Sequence, residues 1–182
     1  MNLKQQKILW GSLIGLLVII LGWSLYIIYG NLGGFDEVKV YRLEPAQRTV
    51  VGKYYKTRYS DKALKEQFER CQTLIESNHV KGDLVVFSYQ NPDLAANEVE
   101  QFIGIMLKED IAEIPVDFDM KEFNSGDRYA VFLSMHPLVR MPEKQYRKLL
   151  RETASGDGGN LQEFFVEIYF PDNSMTVEVW VQ

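Results

Sequence analysis

Cysteine is nearly absent from this chain. Cys71 is the only one, which excludes an intramolecular disulfide and a paired-cysteine metal site. Histidine is as scarce, with His79 near the end of an expected helix and His136 before a proline at a strand exit; both read as structural residues. There is no P-loop, no dinucleotide fingerprint behind a strand and no nucleophile elbow. The glycine-rich Gly156–Gly159 segment (GDGG) falls between a helix and a strand, the wrong setting for a phosphate, and reads as a turn. Nothing in this inventory calls for a cofactor, and no metal site is expected.

Positive charge is also in short supply. Lys and Arg number 20 against 25 Asp and Glu, a net charge of −5, which becomes −7 once Lys4 and Lys7 are set aside. Nucleic acid is therefore not expected as a partner, because phosphate binding needs a basic footprint. Small neutral or cationic ligands suit such a surface, and so does plain solubility.

Between Lys7 and Asp36 there is no charged residue at all. Ile8–Tyr29 is an unbroken apolar run of 22 residues, about 33 Å as a helix, enough for a hydrocarbon core of roughly 30 Å. Trp10 stands at one end and Trp23, Tyr26 and Tyr29 toward the other, as interfacial belts require. A cleaved signal peptide has a shorter core and a small-x-small cleavage site, and Tyr26–Gly30 offers none. An uncleaved single-pass anchor is expected. Lys4 and Lys7 precede it and Asp36 and Glu37 follow, so the positive-inside rule puts the N-terminus in the cytoplasm and the rest in the periplasm or outside the cell. Protease added to intact cells or spheroplasts should digest the domain; full protection would refute this orientation.

The expected organisation is lead and anchor over 1–29, a short linker over 30–37 and one domain over 38–182. With 46% hydrophobic and 25% charged residues, the chain has the composition of a globular protein with a real core. Strand patterns cover Val38–Leu43, Thr49–Tyr55, Asp83–Gln90, Phe102–Leu107, Arg128–Met135, Glu163–Phe170 and Thr176–Gln182. Ser60 can cap a helix carrying Leu64, Phe68, Cys71, Leu74 and Ile75 on one face, with Cys71 a buried core thiol. Pro142 suits the first turn of a second helix reaching about Glu152, with Tyr146, Leu149 and Leu150 inward and a loop over Thr153–Asn160. Lys108–Gly126 reads as a long irregular connection. The order strand, helix, strand, strand occurs twice. An α+β fold is expected: two tandem β-α-β-β units forming one antiparallel sheet, with both helices on one face and a ligand groove on the other.

The most informative segment is Phe164–Phe170 (FFVEIYF). Alternation puts Phe164, Val166, Ile168 and Phe170 on one face, suited to lie under the helices, and Phe165, Glu167 and Tyr169 on the other. A carboxylate between two aromatics is partly shielded from water, which raises its pKa or demands a cationic partner. Such a group binds cations or acts as a general base. A solvated Glu167 on an open sheet face fits the pattern equally well. Tyr89, Tyr54 and Trp180 are further aromatics that other strands could bring to the same place, giving an apolar pocket with one charge.

Tyr129-Ala130-Val131-Phe132 ahead of a helix, Glu167-Ile168-Tyr169 on a later strand, and Tyr89 with Asn91-Pro92 and Gly104 in the first half resemble the GyrI-like small-molecule-binding domain family, within the SOUL/GyrI superfamily. The resemblance covers about Val38 to Gln182. The anchor followed by Gly33-Gly34-Phe35-Asp36-Glu37-Val38-Lys39-Val40, with His136-Pro137, is similar to membrane-anchored bacterial relatives of a testis-expressed ER-phagy receptor. The resemblance implies tandem units with a ligand groove in which Glu167 meets cationic aromatic molecules, or, in some stand-alone members, assists hydrolysis of cyclopropane-containing compounds. It also raises haem, although neither histidine sits on an evident pocket face. The expected function is a membrane-tethered binding module for small apolar ligands, cationic ones among them, contacted by Glu167, Phe165, Tyr169, Tyr89, Tyr54 and Trp180. The alternatives are a hydrolase of reactive small molecules using Glu167, or a protein-interaction domain whose partner is another membrane protein.

Overall fold

The computed structural model describes residues 3–111 and 113–182, so the first two residues of the lead lie outside the described residues. The chain divides into two units, Met1–Glu37 with Met135–Arg140, and Val38–Ser134 with Met141–Gln182.

In the first unit, helix α1 spans Leu3–Asn31. Its segment Leu13–Asn31 is long and apolar enough to cross a membrane, with a mean hydropathy of 2.2 and no burial inside the protein. The stretch after it, expected to be a flexible linker, begins as an ordered stop. Gly33 takes a left-handed φ of 80°. The Gly34 N–H donates to the Tyr29 carbonyl and the Gly33 N–H to that of Gly30, both at 2.9 Å. That is the Schellman pattern, which a glycine adopts without the Cβ penalty. Phe35 folds back on Tyr26 and Tyr29, with ring centroids 5.0 Å from each.

The second unit is one eight-stranded antiparallel sheet with two helices. In chain order it runs β1 (Val40–Leu43), β2 (Gln47–Arg58), α2 (Lys62–Glu76), β3 (Gly82–Tyr89), β4 (Glu98–Leu107), β5 (Asp119–Asn124), β6 (Arg128–Leu133), α3 (Glu143–Gly156), β7 (Phe164–Tyr169) and β8 (Met175–Trp180). Across the sheet the order is β1-β6-β8-β7-β3-β4-β2-β5. The expected tandem units are β2-α2-β3-β4 and β6-α3-β7-β8. They join where β3 pairs with β7, with Val86 opposite Glu167. Each unit gains one outer strand: β5 beside β2, and β1 beside β6.

Three expectations need correction. Asp61, not Ser60, caps α2: its carboxylate accepts from the Ala63 N–H at 2.9 Å and from the Thr57 hydroxyl at 2.6 Å. These bonds hold its carboxyl below the usual aspartate range. α3 continues past Glu152 to Gly156 with Ala154 fully buried, so the first part of the loop expected over Thr153–Asn160 is the last turn of the helix. Gly158, with φ 79°, then stops the helix. Lys108–Gly126 holds a strand, β5, whose charged Asp119, Lys121 and Glu122 mask it; charge is how exposed edge strands avoid pairing with other chains.

The central strands of the sheet are buried on both surfaces. On the helix side α2 lies over β2, β3 and β4, and α3 over β1, β6 and β8. Phe68, Cys71, Leu74 and Ile75 of α2 pack on Val51, Leu84 and Ile105. Cys71 is fully buried, and burial pushes its thiol up to about 12. A thiol held neutral in this way is an inert core group. On the opposite side Val50, Val85, Phe87, Phe102, Phe164, Val166, Ile168 and Trp180 form a second core. Phe123 of β5 stacks on Phe87 at 4.0 Å and also meets Phe164 of β7 at 6.1 Å, although β2, β4 and β3 separate β5 from β7 in the sheet. The sheet is therefore strongly curled on this side. Gly52 and Gly104, paired across β2 and β4, allow the curl: a Cβ on Gly52 would lie 2.6 Å from the Gly104 Cα.

Candidate functional site

β7 lies between the strands covered by α2 and those covered by α3, at the floor of the gap between the two helices. Its alternation is as expected, but its faces are the reverse. Phe164, Val166 and Ile168 enter the aromatic core on the helix-free side. Phe165, Glu167 and Tyr169 point to the helices. The physical reason is that both faces of β7 are buried, so apolar residues mark neither one as the helix side.

Glu167 is 8% exposed, and both of its carboxylate oxygens are engaged. The Arg147 guanidinium donates to Oε1 through Nη2 at 2.6 Å, and the Tyr169 hydroxyl donates to Oε2 at 2.7 Å. Arg147 stands on α3, one position beyond the inward Tyr146, and its long stem lets the charge reach the sheet. It also pairs with Glu143 one turn earlier, at 2.8 Å. Its guanidinium lies 4.6 Å from the centre of the Phe165 ring, and that of Arg151 lies 5.1 Å from the same ring. The buried Nε of Arg147 has no hydrogen-bond partner, so the guanidinium is anchored at one end of its fork only.

Tyr169 completes the floor. Phe68 of α2 meets its ring edge-on at 5.1 Å. Burial first, and then the neighbouring Glu167 charge, push its phenol well above the ordinary value, so it remains a proton donor to Glu167. Burial, and secondarily Arg147, lower the guanidinium of Arg151. Chemically this is a buried carboxylate beside two aromatic rings, met by a cation over one of them. Such an arrangement holds a flat cation through charge and π-face together. Here the cation is the chain's own Arg147.

Of the six residues expected to meet a ligand, the helix-facing side of β7 brings together Glu167, Phe165 and Tyr169. Tyr54, Tyr89 and Trp180 lie on the other side of the sheet. There Tyr54 and Tyr89 stand 6.1 Å apart, Tyr89 meets Phe164 at 5.8 Å, and Phe164 meets Trp180 at 5.7 Å. Trp180 is fully buried, whereas Tyr54 is 40% exposed. A hydrogen bond to Glu100, followed by burial, pushes the Tyr54 phenol up to about 12. His79 is exposed and bonded to the Ser77 hydroxyl, and His136 is exposed and accepts from the Leu138 N–H. Among the described residues, no three His, Cys, Asp or Glu side chains gather as metal ligands.

Two features escaped the sequence reading. Arg147 is one; a shielded carboxylate needs a cation, and the Glu143–Arg147 spacing placed one on the nearby helix. The other is a second buried carboxylate, Glu178 of β8. It is 3% exposed and receives the Arg128 guanidinium at 3.1 Å and the Trp180 indole N–H at 2.8 Å. Arg128 is anchored in turn by the Glu44 carbonyl at 2.9 Å. With both Glu178 oxygens and two of the Arg128 nitrogens paired beside the aromatic core, this cluster reads as a structural clasp.

No family model matches the chain, and no curated protein sequence does. Solved structures share the fold. A hydrolase from Listeria innocua has a TM-score of 0.53 at 11% identity, covering 85% of this chain and 98% of its own. An uncharacterized conserved protein from Listeria innocua has 0.53 at 12% identity, covering 79% and 92%. EcmrR in its complex with DNA has 0.50 at 10% identity, covering 98% of this chain and 69% of its own. At these identities the likeness is one of fold.

Proposed function

We propose that the chain is a membrane-tethered binding module of the GyrI-like type, and that it takes small, apolar, cationic molecules in the cleft between α2 and α3. The observation that carries this reading is Glu167: a buried carboxylate at the floor of a gap between two helices, flanked by the rings of Phe165 and Tyr169 and closed by a guanidinium. A ligand that brings its own positive charge replaces the guanidinium, and the two rings take its flat apolar part. Helix α1 holds the domain to the bilayer with the N-terminus in the cytoplasm.

Hydrolysis at Glu167, the activity class in the name of one structural neighbour, needs a carboxylate oxygen free to accept a proton from water. Both oxygens already serve Arg147 and Tyr169, so binding is the better-supported reading. The test is a fluorescence titration of the full chain in detergent with a lipophilic aromatic cation and with a neutral molecule of the same shape. The cation should bind at least tenfold tighter, a difference of about 1.4 kcal/mol. Equal affinities, or binding of neither, would overturn the proposal.

A further inference from the structure

The turn at residues 135–140 belongs to the same compact unit as α1. It is fastened to the helix end: the His136 N–H donates to the Leu32 carbonyl at 2.9 Å, and Met135 lies so close that a Cβ on Gly33 would stand 3.0 Å from its own Cβ. The turn is internally closed as well. The Val139 N–H donates to the His136 carbonyl at 3.0 Å, the Leu138 N–H to His136 Nδ1 at 3.3 Å, and Arg140 Nη2 to the Met135 carbonyl at 3.4 Å. At the tip of this braced turn stands Leu138, 83% exposed, more than any other large apolar side chain among the described residues. Phe35, 58% exposed, sits just beyond the same helix end against Tyr26 and Tyr29.

From this arrangement we infer that the 135–140 turn is a second membrane contact, with Leu138 seated in the interfacial layer of the bilayer that α1 crosses. The occupant is lipid because the turn that carries this apolar tip is bonded directly to the exit of an apolar helix of spanning length. An exposed leucine on a braced turn gains by leaving water, and a rigid turn loses little freedom when it does. The amides of His136, Leu138 and Val139 all have partners within the protein, so the turn gives up no unpaired amide when it leaves bulk water. Tyr26, Tyr29, Phe35 and Leu138 would then form a collar at one bilayer surface, fixing the rotation of the helix as a single span cannot.

The inference rests on α1 crossing a bilayer, and the experiment separates the two claims. Leu138→Cys in a Cys71→Ala chain is labelled with an environment-sensitive nitrobenzoxadiazole and reconstituted into phosphatidylcholine vesicles. Val18→Cys reports α1, and Lys65→Cys, whose native side chain is 80% exposed, reports water. The label at 138 should emit to the blue of that at 65 and be quenched by lipids brominated near the headgroup, while lipids brominated toward the chain ends should quench the label at 18, which lies near the middle of the span. If 18 is quenched while 138 behaves like 65, the second contact is refuted and the span stands. If 138 is shielded from aqueous iodide yet unquenched by brominated lipid, a protein surface covers it and the lipid assignment fails. If 18 is not quenched either, both claims fall.

Discussion

In an Arg147→Met chain a lipophilic aromatic cation should bind about tenfold tighter than in the natural protein, whereas Glu167→Gln should weaken it at least tenfold. The two effects have opposite signs because Arg147 and the ligand compete for one carboxylate. In the natural chain the ligand must first displace a guanidinium held at 2.6 Å. In Arg147→Met that competitor is gone, and Glu167 keeps only the Tyr169 hydroxyl. A buried charge deprived of its partner costs roughly 3–5 kcal/mol, and a ligand that restores the pairing recovers part of it. Tenfold corresponds to about 1.4 kcal/mol, well inside that bound. Glu167→Gln removes the attraction at similar volume, and in the double variant the preference for the cation over its neutral isostere should vanish. Equal affinity of Arg147→Met and the natural chain would show that Arg147 does not occupy the ligand's place. Fluorescence anisotropy in detergent measures all three variants.

The largest effect on stability is expected at the clasp on the other side of the sheet. Arg128→Met leaves the Glu178 carboxylate, 3% exposed, with the Trp180 indole as its remaining partner. The expected cost is about 3–5 kcal/mol. Arg128→Met with Glu178→Gln removes the orphaned charge and leaves an amide oxygen for the indole, so it should recover more than half of the loss. The bond from Arg128 to the Glu44 carbonyl is lost in both variants, so the recovery isolates the charge. Urea denaturation of the full chain in detergent, followed by near-ultraviolet circular dichroism, gives the comparison. A loss under about 1 kcal/mol in the single variant would mean that Glu178 is better solvated than its burial implies.

How far the sequence could be read depended on whether a residue's neighbours along the chain resemble its neighbours in space. The apolar run to Tyr29 and the face of α2 were legible because charge exclusion and helical spacing are local properties. So was the singular character of Glu167, a carboxylate set among aromatics. Its side of the sheet was not, because Phe164 and Phe165 are both buried on opposite faces and alternation then carries no sign. β5 was hidden because its pairing with β2 is decided by a distant strand, while its own residues are mostly charged. Tyr54, Tyr89 and Trp180 were gathered by residue type, and pairing register separates them from Glu167. Arg147 was the costliest omission: it is adjacent in sequence to the inward Tyr146, and only the reach of its side chain brings it to β7.

The central claim is that ligands enter at Glu167, between the two helices. Photolabelling of the full chain with an azide-bearing aromatic cation, followed by peptide mapping, tests it most directly. Adducts should fall on Glu143–Arg151 of α3 and on Phe165–Tyr169 of β7, and excess unlabelled cation should suppress them. Adducts concentrated on Tyr41, Phe132 and Phe170, or on Tyr54 and Tyr89, would place binding on the helix-free side and contradict the account.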